Sequence, residues 1–118
     1  MLDDILKRVL TDVEGARCVL LTSFDGMVVA SAVASDGPVP EVVAAQLADL
    51  FHRVGIAHRD AGLAVPQEFT AGGSSVQSAL RVVTPQYMLV AVLDGIASLG
   101  RTRFELRKAA AALETELS

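Results

Sequence analysis

Apolar residues recur along this chain at two spacings, helical at both ends and through one long central stretch, strand-like in between. Leu2, Ile5, Leu6, Val9, Leu10 and Val13 fall on a 3.6-residue period and predict an N-terminal helix. Asp3 and Asp4 sit where negative charge suits the helix dipole, and Gly15 stops the helix. Arg17 to Thr22 and Met27 to Val33 are rich in Val and Leu, and Asp25-Gly26 between them predicts a hairpin. Ser35-Asp36-Gly37-Pro38 marks a loop, after which Pro40 and Glu41 open a long helix running to about Arg59, before Asp60 and Gly62 break it. Gln67 to Ala71 is a weak strand and Val76 to Val83 a better one. Tyr87 to Leu93 is so continuously apolar that both its faces must be buried. Gly72-Gly73 and Thr84-Pro85-Gln86 supply the turns. From Leu99 onward, Leu106, Ala110, Leu113 and Leu117 form a last helical stripe. The order α-β-β-α-β-β-β-α, with short turns between neighbours, predicts an α/β (α+β) domain whose antiparallel five-stranded sheet lies between helix layers.

The central helix has two faces to bury. Val43, Leu47, Leu50 and Val54 make one stripe, expected to cover the sheet, while Ala44, Ala48 and Gly55 make a neighbouring stripe of small residues. Small side chains at this spacing let another helix approach closely, although alanines also simply fill helix positions in an Ala-rich chain.

Composition adds a reason to look for a partner. The 118 residues form one expected domain, 1–118, which on folding buries about 60–70% of its extended surface. Hydrophobic residues make up 52% of the chain, and a mean hydropathy of +0.46 is high for so short a chain. The apolar excess is expected at a subunit interface. A net charge of −4 gives no general attraction to nucleic acid or to an anionic membrane. Cys18 is alone, which excludes an internal disulfide and any zinc site needing paired thiolates. Met1-Leu2-Asp3-Asp4 lacks the basic and apolar segments of a signal peptide, and no run is long enough to span a membrane, so the expected address is cytoplasmic.

Candidate chemistry is sparse. Asp49 and His52 share a helix face and could begin a metal site, but His58, six positions on, points elsewhere. Ser23, Ser31, Ser74, Ser75 and Ser98 have no His beside them and no nucleophile elbow. Gly72-Gly73-Ser74-Ser75 lacks the Lys and the helix start of a phosphate loop. The expectation is therefore no catalytic residue, no metal and no cofactor. Arg101, Arg103, Arg107 and Lys108 form one basic cluster, read as a solvated face diluted by Glu105, Glu114 and Glu116. Phe104 falls off the apolar stripe of its helix, so it is either a second contact surface or a sign of wider burial.

The run Val19-Leu20-Leu21-Thr22-Ser23-Phe24-Asp25-Gly26-Met27-Val28-Val29-Ala30-Ser31, and later Ala97-Ser98-Leu99-Gly100 followed by Arg103, Glu105, Leu106 and Arg107, resembles the Roadblock/LC7 (dynein light chain-like) family, in particular its gliding-motility members in bacteria. The resemblance covers essentially the whole chain. It implies a homodimer in which the third strands join two sheets and the central helices lie side by side. The implied interface comprises Ala44, Ala48, Phe51, Gly55, Gln67, Phe69 and Ala71. It further implies that a small Ras-like GTPase docks on the paired helices, on Glu41, Ala45, Asp49, His52, Arg53 and Ile56, and is regulated or scaffolded there, stimulation of GTP hydrolysis being one form such regulation takes. Arg53 and Arg59 would be the arginines to test as donors to the nucleotide, though the resemblance favours a dimer that moulds the GTPase switch regions. The alternative is a small-molecule sensor of the PAS, GAF or profilin kind. No Trp, one Tyr and four Phe leave little for an aromatic cage in such a sensor.

Overall fold

The computed structural model describes residues 1–118. In chain order the elements are α1 (Leu2–Asp12), β1 (Ala16–Ser23), β2 (Val28–Val33), α2 (Pro40–Asp60), β3 (Glu68–Gly72), β4 (Val76–Val82), β5 (Tyr87–Asp94) and α3 (Leu99–Leu117). This is the predicted order, with boundaries within a residue or two of those read from the pattern. All five strands are antiparallel in the spatial order β2-β1-β5-β4-β3, so the most apolar strand, β5, lies at the centre. Both of its faces are covered, as its continuous hydrophobicity requires. α2 links the two sheet edges, joining β2 to β3.

Two cores flank the sheet. On one face α1 and α3 pack Leu6, Val9, Val13, Leu106, Ala109, Ala110 and Leu113 on the inward residues of the strands, including Val19, Leu21, Leu89, Ala91 and Leu93. On the other face α2 lies over β1 and β2, and the core holds Cys18, Leu20, Ala44, Ala48, Phe51, Leu80, Met88 and Val90. Burial pushes the Cys18 thiol above its ordinary pKa, with the charge of Glu41 adding to the shift, as befits an inert core thiol.

The second core corrects the reading of α2. Its small-residue stripe faces the sheet most directly, with Ala44 fully buried, Ala48 3% exposed and Phe51 6%, while Val43 and Leu47 of the Leu and Val stripe pack against the same core from one side and stay half-buried. The cause is close approach over the β1–β2 turn. Gly26 there has φ +88°, and a side chain at that position would come within 3.1 Å of the Cα of Ala45. A helix this near the strands accommodates only Ala beneath it, and Phe51 fills the space beyond, stacked on Phe24 with ring centroids 6.4 Å apart. Ala44, Ala48 and Phe51 are thus spent inside the chain and unavailable to a partner helix.

Candidate functional site

β3 is an exposed edge. Its backbone pairs with β4 in a register whose hydrogen-bonded partners are directly opposite, since Gln67 O accepts from Val82 N at 2.9 Å and Gly73 N donates to Val76 O at 3.0 Å. The alternation of an antiparallel ladder then turns Gln67, Phe69, Ala71 and Gly73 toward β4. Glu68, Thr70 and Gly72 direct their N–H and C=O groups outward, with no strand beyond them. Gln67, Thr70, Ala71 and Gly72 are exposed and Phe69 is half-buried.

This edge is held from both faces. Toward α3, Glu68 accepts from Arg81 and Arg103, each at 2.7 Å, with Arg107 at 3.8 Å. The Arg103 hydrogen bond, seconded by that of Arg81, keeps the Glu68 carboxyl below the usual carboxylate range despite partial burial. Toward α2, Phe69 stands opposite Leu80 and packs on the second core.

α2 covers only half of its sheet face. Its flank toward the uncovered half carries Val43, Leu47, Leu50 and Val54, all half-buried, and on the sheet Val82 and Val92 are also half-buried, with Val76 55% exposed. Val43, Leu47, Val82, Val92 and Phe69 all pack against the second core from this side and stay only partly covered. Sequence reasoning missed this flank as a contact surface because the same stripe was assigned to the sheet. Gly55 lies farther along the helix with no atom within 4 Å of where a Cβ would be, so the space beside it is open.

The opposite flank of α2 brings together the six residues named as partner-binding. Glu41, Ala45, Asp49, His52 and Arg53 are exposed and Ile56 is half-buried, and at 3.6 residues per turn they form one continuous strip. Arg53 donates to Asp49 at 2.7 Å, one turn away. His58 Nδ1 lies 2.9 Å from the carbonyl of Val54, away from His52. No three His, Cys, Asp or Glu side chains converge as a metal site would need. Gly72-Gly73-Ser74-Ser75 is the β3–β4 hairpin turn and opens no helix. The roomiest depression, about 390 Å³ between Phe24, Phe51, Val65, Val82 and Pro85, is an open groove and not the enclosed pocket of a sensor. No helix is long and apolar enough to cross a membrane.

No family model and no curated protein sequence matches the chain. Solved structures do. An MglB with a tetrameric arrangement overlays with a TM-score of 0.89 at 25% identity, over 97% of this chain and 85% of that one. MglB of Myxococcus xanthus gives 0.89 at 21% identity over 98% and 94%. A Roadblock/LC7 domain from Streptomyces avermitilis gives 0.88 at 15% identity over 98% and 96%.

Proposed function

We propose, from the premise that this chain is a Roadblock/LC7-type domain with MglB-like architecture, that it is a non-catalytic regulator which works as a homodimer and binds a small Ras-like GTPase. One observation carries the reading: an unpartnered edge strand, continuous with an apolar flank of α2, lies on one side of the chain, and an unbroken exposed strip of the same helix lies on the other. Pairing β3 with its twin would satisfy the outward N–H and C=O groups of Glu68, Thr70 and Gly72, bring Gln67, Phe69 and Ala71 into contact, and cover Val43, Leu47, Leu50 and Val54. The interface thus moves from the alanines of α2 to its larger apolar side chains. The two helices would lie on the same face of the joined sheet, so that their outer strips, Glu41 to Ile56, form one platform.

On that platform the GTPase would be regulated by being held, not by a donated group. Arg53 is already engaged with Asp49, and freeing it to neutralise charge on a phosphoryl group would cost that ion pair. Arg53→Ala should therefore leave any stimulation of GTP hydrolysis within a few-fold of the unaltered protein. The test has two parts. Light scattering over a dilution series reads the dimer, and titration of a Ras-like GTPase from the same organism, loaded with GDP or a GTP analogue, reads nucleotide-dependent binding. A monomer at micromolar concentration, or equal indifference to both nucleotide states, refutes the proposal.

A further inference from the structure

We propose that the outward crest of α3 is a second docking surface, separate from the α2 strip, and that it receives an acidic protein segment carrying an apolar anchor residue. Phe104 is 53% exposed and lies on the side of α3 opposite its buried stripe of Thr102, Leu106 and Leu113. Arg101 lies one turn before it, and Arg107 and Lys108 one turn after, so three cations ring one aromatic on a single ridge. Lys108 folds over the ring with Nζ 5.2 Å from its centroid. Gly100 and Ala111, at the neighbouring crest positions, keep the approaches to the ring clear.

The charge around this crest is only partly compensated. Glu105, only 4% exposed, serves both Arg101 at 3.1 Å and Lys108 at 3.2 Å. Glu68 serves Arg81, Arg103 and Arg107. Five cations share two carboxylates, so this part of a chain whose net charge is −4 carries a local positive surplus. To a broad anionic surface such as a bilayer or a nucleic acid duplex, a chain of net charge −4 offers no general attraction. A narrow acidic segment meets only the ridge, its carboxylates taking the cations that lack a full partner while an apolar side chain lies against Phe104.

Fluorescence anisotropy with a labelled peptide of repeating Glu-Glu-Leu-Glu, at low ionic strength, tests the assignment. Saturable binding that weakens with added salt is expected, with a loss of about tenfold or more for Phe104→Ala. The pair Arg107→Gln and Lys108→Gln should flatten the salt dependence, while Gln46→Ala on α2 should change nothing. Because these side chains are exposed, the variants should keep the unaltered far-ultraviolet dichroism and melting temperature. Equal binding of a peptide with Lys in place of Glu, or indifference to Phe104→Ala, overturns the proposal. So does preferential binding to phosphatidylserine vesicles, or self-association abolished by Phe104→Ala, which would assign the crest to a membrane or to a second copy. Loss of the α2-based dimer or of GTPase binding leaves this result untouched.

Discussion

Replacing Thr70 with Pro tests the edge-strand reading more sharply than any side-chain truncation, because proline deletes a single backbone donor whose direction the β3–β4 register specifies. Thr70 N–H faces away from β4, so its loss leaves the internal ladder intact, and proline is tolerated on such edges. If two β3 edges pair about a twofold axis, each chain loses one intersubunit donor. Two hydrogen bonds at about 1 kcal/mol each, together with the acceptors left unpaired opposite them, amount to roughly 3 kcal/mol, or more than about a hundredfold in the dimer dissociation constant. In the isolated chain the same N–H is solvated, and removing it should cost less than about 1 kcal/mol. Ala71→Pro is the matched control. Its N–H points to Ser78 on β4, so it should lower the stability of the single chain by about 1–3 kcal/mol from the orphaned acceptor. Sedimentation equilibrium reads association, and urea unfolding at a concentration below the dimer midpoint reads the chain itself. The reasoning fails if Thr70→Pro dimerises as tightly as the unaltered protein, or if the two proline variants cannot be told apart in urea.

Two further outcomes follow from the same geometry. The folded-state pKa of Glu68 lies below its unfolded value, so its ion pairs contribute stability that is fully present above the ordinary carboxylate range and is lost as pH falls through the depressed value. Urea midpoints measured from neutral pH downward should fall more steeply for the unaltered protein than for Glu68→Gln, and equal slopes would refute the assignment. On α2, Ala48→Leu should destabilise the chain by about 1–3 kcal/mol through overpacking beneath the helix, whereas Leu50→Asp should weaken self-association with little change in the urea midpoint of dilute protein. The reverse pattern would restore the opposite orientation of α2.

Element order was legible because each segment carries its own local signal: the periods of α1 and α3, Asp25-Gly26 between β1 and β2, and the unbroken apolar run of β5 between buried neighbours. The orientation of α2 was not. Two adjacent stripes of that helix are apolar, and ranking them by hydrophobic area assigns the Leu and Val stripe to the sheet. What decides instead is how near the helix must come to the β1–β2 turn, a distance expressed only through Gly26, and such proximity selects the smallest side chains. Phe51 escaped for a related reason, since its partner Phe24 lies in a turn with no periodic signal of its own. The cations of α3 could be read from sequence, but Glu68, the carboxylate that holds Arg103, is 35 residues away on another element. That the six residues of the outer α2 strip share one helix face was legible, because such positions are related by the helical period alone.

The correction to α2 strengthens the case for pairing. With Ala44 and Ala48 beneath it, the helix sits low on β1 and β2 and reaches toward β4 and β3 only through the core around Leu80 and Phe69, so Val82, Val92 and the Val43–Val54 flank stay half-buried. A short, isolated edge strand would be a weak template for association, since ordering it on binding costs conformational entropy. β3 has less of that cost to meet. Glu68 ties it to Arg81 and through Arg103 to α3 on one face, and Phe69 ties it to the α2 core on the other, so its outward groups are already aligned. Pre-alignment by α3 and a half-buried apolar flank on α2 are separate features of the chain, and both converge on the same edge.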